Sequence, residues 1–92
     1  MSHLHTLNNV ELLQDCARFL SDGDALLLIE DGVYCVTQAE LGQLPDSITV
    51  YCLQDDVDAR GLGQLAQEHS QKIGFEGFVG LCCTHSKIIN WF

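Results

Sequence analysis

The chain reads as an α/β fold with a mainly parallel sheet, and three observations predict it. Apolar, strand-like segments recur at residues 4–7, 25–29 and 48–53. Stretches with the 3.6-residue spacing of helices separate and follow them. Residues 25–29 are continuously apolar rather than alternating, as expected of a strand covered on both faces.

The elements follow in order. Residues 4–7 are a short strand running into Asn8 and Asn9. Asn8 with Glu11 has the spacing of a capping box, with Asn in place of Ser or Thr, so a helix should start there. Val10, Leu13, Ala17 and Leu20 share its apolar face with Cys16 beside them, and Gly23 is placed to end it in a left-handed conformation. Residues 25–29 are the central strand, and Glu30-Asp31-Gly32 turns the chain. Residues 33–36 read as a brief extended piece. Thr37 and Glu40 form a second capping box, for a short helix that stops before Pro45.

Residues 48–53, rich in β-branched and aromatic side chains, make the third strand. Asp55 is placed to cap a helix beginning around Val57. Gly61 and Gly63 weaken the polar stretch that follows, predicting an irregular or short helix up to His69 and then a small edge strand over 71–74. Phe75, Phe78, Val79, Cys82 and Cys83 fall at i, i+3, i+4, i+7 and i+8, the stripe of a last helix over residues 76–87.

Composition bounds the function. The 92 residues, 47% of them apolar, are enough for one folded domain over 1–92, small enough to benefit from a partner. Thirteen acidic against four basic residues give a net charge of −9, which repels tRNA or DNA, so any RNA chemistry belongs to other subunits. The longest apolar run, residues 25–29, is far below the roughly 20 residues of a membrane span. Residues 1–5 lack the basic and apolar regions of a secretory signal, so a cytoplasmic location is expected. Five cysteines cannot all pair, and in a reducing compartment they are expected to be free thiols.

Function in an open parallel sheet gathers at the carboxyl ends of the strands. The acids there invite a Mg²⁺ reading, but no lysine on a late strand end completes a phosphoryl-accepting pocket, and caps, turns and solvation account for Asp31, Asp55 and Asp58. Cys82, Cys83 and His85 lack the spacing of a zinc motif, so the two thiols on an apolar helix face read as core thiols. Neither a metal nor a cofactor is expected. Cys16, at the margin of the first helix's apolar stripe, has two readings: a partly exposed reactive thiol, or core packing. His5, His69 and His85 have no local nucleophile and read as hydrogen-bonded structural imidazoles. Arg60, after Asp55, Asp56 and Asp58, reads as a local ion pair or a contact with another subunit.

Several short signatures occur in a fixed order: Leu4-His5-Thr6-Leu7, Gly23-Asp24, Glu30-Asp31-Gly32, Asp55 through Leu62 with Ala59-Arg60-Gly61-Leu62, and His85-Ser86 with Trp91. In that order and length the chain resembles the TusB/DsrH family of small subunits in bacterial sulfur-relay complexes. The resemblance implies a three-layer α/β/α domain. It also implies assembly with two related subunits, TusC- and TusD-like or DsrF- and DsrE-like, into a heterohexamer holding two copies of each.

In the TusB branch such a complex passes persulfide sulfur for 2-thiouridine formation at the tRNA wobble position, and the transferring cysteine belongs to another subunit. In the DsrH branch it serves dissimilatory sulfur oxidation, and the small subunit carries a cysteine in its first helix within a Cys-x-Lys-Phe-like stretch. Cys16-Ala17-Arg18-Phe19 matches that stretch with Arg for Lys, which makes Cys16 the candidate persulfide carrier. The expected role is a supporting subunit of a sulfurtransferase complex in tRNA thiolation, with sulfur oxidation as the alternative pathway. A non-catalytic acidic interaction module is the alternative of a different class.

Overall fold

All the strands run parallel, so every connection must cross over the sheet, and the chain supplies a helical segment for each crossing. The computed structural model describes residues 2–92. Met1, at the head of the segment read for a leader, lies outside them. β1 (His3–Leu7), β2 (Ala25–Leu28), β3 (Thr49–Leu53), β4 (Gln71–Ile73) and β5 (Lys87–Trp91) form one sheet in the order β4-β3-β2-β1-β5. Leu4 lies beside Ala25 on one side and Ile88 on the other, which fixes which side chains share a face. This is the α/β class expected, with the sheet parallel throughout.

Alternation along the strands separates two cores. On one face Leu7, Leu26, Leu28 and Cys52 meet the buried side chains of the short helices α1 (Leu13–Ala17), α2 (Ala39–Gly42), α3 (Gln54–Ala59) and α4 (Gly63–His69). On the other, Leu4, Ala25 and Leu27 pack under Phe78, Leu81 and Cys82 of α5 (Phe75–Thr84). β2 is buried at every position, the result foreseen from its unbroken apolar run.

Several local expectations are corrected. The first helix is a 3₁₀ turn, Val10–Leu12, followed by only five α-helical residues, and its cap is Asn9, whose side chain accepts from the Glu11 amide at 3.0 Å. Residues 33–36 are not extended. They lie in a 3₁₀ helix, Glu30–Thr37, that buries Val33, Cys35 and Val36, because no neighbouring strand is available to satisfy an extended backbone there. Thr37 donates to the Tyr34 carbonyl instead of capping α2, and Asp55 sits inside α3 rather than before it.

The last helix ends at Thr84, where His85 Nδ1 donates to the Leu81 carbonyl at 2.8 Å, and a fifth strand that the sequence reading did not foresee follows it. Gly23 does adopt a left-handed conformation, φ +87°, but in the turn before β2 rather than at the end of the first helix, which stops at Ala17. The short helix and the edge strand expected before residue 74 are present as α4 and β4.

Gly32 is dictated by a close approach. A Cβ there would lie 2.0 Å from the Leu7 carbonyl oxygen, which already accepts the Ile29 amide at 3.0 Å. Gly32→Ala should therefore cost about 3 kcal/mol, read as a lower urea midpoint at unchanged slope.

Candidate functional site

The carboxyl edge of the sheet is ordered by a single arginine. Arg60 Nε and one terminal nitrogen each reach Asp31 Oδ1 at 3.0 Å, and the other terminal nitrogen donates to the Asp56 carbonyl at 3.0 Å. Asp56 Oδ2 in turn accepts the amide of Glu30 at 2.7 Å. That bond holds Glu30 at φ +49°, a left-handed conformation uncommon for a residue with a Cβ. The acids at the ends of β2 and β3 thus serve the loop and its cation. Of the two roles expected for Arg60, the local ion pair is formed, with Asp31 and Asp56 as its partners.

A second constellation is buried. Trp91 Nε1–H donates to His5 Nδ1 at 3.0 Å, and the opposite ring nitrogen of His5 lies 3.1 Å from Asp24 Oδ2. Because Nδ1 accepts, Nε2 carries the proton and donates it to the carboxylate. The His3 amide donates to Asp24 Oδ1 at 2.9 Å and the Ser21 amide to Oδ2 at 3.0 Å.

Burial pushes the Asp24 carboxyl up, but these amides and the His5 ring outweigh it and hold the group below the ordinary carboxylate value. Thr6 Oγ1 donates to Asn90 Oδ1 at 2.5 Å on the other face of the same strand pair. His5 is therefore the hydrogen-bonded structural imidazole that its sequence context suggested.

His3, His5 and Asp24 each offer a ligand atom within 4.8 Å of one another. A neutral imidazole has one lone-pair nitrogen, and that of His5 is occupied by Trp91. Binding a cation through Nε2 would set Nδ1–H against the indole N–H. The hydrogen-bond chain runs through Trp91, His5 and Asp24, and His3 joins it by its backbone amide.

The thiols divide into two groups. Cys16 is fully buried, not at the margin of a stripe, and burial, reinforced by Cys35 nearby, pushes its thiol up to about 12. Cys35, also fully buried, is pushed up to about 12 by burial and by Glu40. Burial raises Cys52 as well, partly offset by a hydrogen bond from Ser70 at 3.1 Å. Cys82 is half-buried on the sheet side of α5, whereas Cys83, read as a core thiol, is exposed.

The surface of α5 is the remaining candidate. Phe75 is 73% exposed and Val79 46%, Cys83 is exposed beside them, and Glu76 is the helix's single charged residue. Sequence periodicity found the apolar stripe of α5 but not its excess. Phe78, Leu81 and Cys82 turn to the sheet while Phe75, Val79 and Cys83 remain outside. No helix of the described residues is long and apolar enough to cross a membrane.

The family model for DsrH-like proteins matches residues 8–88. The TusB proteins of Salmonella dublin, Salmonella enteritidis and Salmonella typhimurium are each similar to this chain, 37% identical over 94 residues that span 96% of it and 99% of the relative.

The depressed Asp24 carboxyl contributes stability that is complete above about pH 4 and fades as the pH falls through its folded value. Acid titration of the urea midpoint should show this loss. Asp24→Asn, which turns an amide N–H₂ toward groups that donate, should lower stability at neutral pH by about 2–4 kcal/mol and flatten that acid limb.

Proposed function

The chain belongs to the TusB/DsrH family, and on that footing we propose that it is the small supporting subunit of a sulfur-relay assembly that serves tRNA wobble-uridine 2-thiolation in the cytoplasm. Its partners in this reading are two related subunits, TusC- and TusD-like, in a heterohexamer with two copies of each. The observation that carries the reading is the outer face of α5, where Phe75, Val79 and Cys83 are exposed and Glu76 is the one charge. Large apolar side chains left exposed together on one helix face mark a contact surface, and in this reading another protein covers Phe75 and Val79. Glu76 sits at the first turn, leaving the rest of the helix to apolar contact.

The burial of the thiols supports a supporting rather than a carrying role. A thiol with a pKa of about 12 is ionised in roughly one molecule per 10⁵ at neutral pH, too few for persulfide exchange. In this reading the sulfur travels on a sister subunit and Cys16 packs the core. The net charge of −9 fits the same division of labour, because the tRNA must be held by other surfaces.

A second reading is favoured by one observation, the Cys16-Ala17-Arg18-Phe19 stretch: a DsrH-type subunit in sulfur oxidation with Cys16 as the persulfide carrier. It requires α1 to move away from the sheet so that the sulfur is exposed.

Co-expression of the chain with its two sister subunits is expected to yield a stable complex. Val79→Asp on α5 should leave the fold intact by circular dichroism while weakening that complex at least about 100-fold; undiminished assembly would sink the reading. Mass spectrometry of the assembled complex after persulfide loading should find the adduct on a cysteine of a sister subunit and Cys16 unmodified. An adduct on Cys16 would establish the second reading instead.

A further inference from the structure

The free edge of the sheet at β5 is weakly guarded against pairing, with one lysine and no proline or acid. It has β1 on one side and no strand on the other among the described residues. Residues 77–92 contain no acid and no proline, and Lys87 is the one charged side chain of the strand. Ile88 is 42% exposed on the α5 face, Phe92 is 68% exposed just past the strand, and Phe19, 64% exposed, packs on Trp91 at 5.4 Å on the opposite face. Arg18, also exposed, adjoins Phe19, so two of the four basic residues flank this edge of a chain with thirteen acids.

The direction of the backbone groups is set by one bond. The Trp91 carbonyl accepts the Asn8 amide at 3.3 Å, so Lys87, Ile89 and Trp91 turn their peptide groups toward β1, while Ile88 and Asn90 turn theirs outward. We propose that this edge pairs with the same edge of a second copy, antiparallel about a two-fold axis at Ile89, to make one continuous sheet across a homodimer.

In that register Ile88 of each copy faces Asn90 of the other, and both pairs exchange their amide bonds, which satisfies the outward groups of the strand. Ile89 faces its own mate. Lys87 falls opposite Trp91 of the second copy, on the face where Phe19 and Trp91 form an aromatic platform for a cation. The two lysines lie at opposite ends of the pair, so no like charges meet. Elsewhere on the molecule two copies with a net charge of −9 each repel; here the strand presents no acid. The axis is normal to the sheet, so both α5 faces stay open, and the pairing is independent of the family reading above.

Sedimentation of the full chain at high micromolar concentration tests the proposal, with a dimer expected. Ile88→Pro removes an outward N–H that β1 does not use, so the fold should persist while the dimer dissociation constant rises at least about tenfold. Ile89→Cys, with Cys82 and Cys83 replaced by Ser, should form a disulfide to its own mate on oxidation, because the paired position on the axis brings the two Cα atoms about 4.5 Å apart. A chain that stays monomeric at that concentration, or a dimer that does not crosslink through position 89, would overturn the proposal whatever the proline variant does.

Discussion

The seating of β1 between β2 and β5 is the constraint on which the structure depends, and the Trp91–His5–Asp24 chain is what fixes it. A carboxylate that is 1% exposed is costly to desolvate, and here two backbone amides and one imidazole N–H offset that cost. Trp91 selects the tautomer that makes the imidazole a donor toward Asp24. The penultimate residue of the chain therefore completes a polar cluster begun by residues 3 and 5. β5 pairs with β1 alone, a contact of long sequence separation with a correspondingly high closure entropy. No buried side-chain nitrogen or oxygen among the described residues is left without a partner, so the cluster is closed as well as buried.

The unequal covering of the sheet follows from topology. Crossovers between parallel strands are right-handed, so the segments that step from β1 to β4 lie on one face, whereas α5, which returns from β4 past β1 to β5, lies on the other. Several short helical pieces cover the first face and a single ten-residue helix covers the second. α5 must therefore be apolar toward the sheet, and the apolar residues left over on its outer side give a small acidic chain a surface suited to a partner. At the carboxyl edge, Arg60 and the backbone of Glu30 order Asp31 and Asp56 into a structural loop.

The thiols show how burial decides chemistry among identical residues. Cys16, Cys35 and Cys52 are sealed in one core and held in the protonated form, while Cys83 lies in solvent on α5. A match to a short sequence stretch can nominate Cys16 for sulfur transfer, but the access such a reaction needs is a property of how α1 lies on the sheet.

The sequence by itself determined the fold class, the central position of residues 25–29, the left-handed glycine at 23 and the edge strand before residue 74, because these depend on local pattern and backbone conformation. It misplaced the first cap by one residue, read a 3₁₀ helix as extended chain, and ran the last helix on to residue 87, so β5 went unseen although Ile88 and Ile89 carry a strand-like signal. The signatures Leu4-His5-Thr6-Leu7, Gly23-Asp24 and Trp91 were legible as markers, but not as one buried cluster, since nothing local links residues 5, 24 and 91. Tertiary structure alone decided that cluster, the sealing of Cys16 and the exposure of Phe75 and Val79: each depends on which strands become neighbours, and strand order is settled by contacts between residues far apart in the chain.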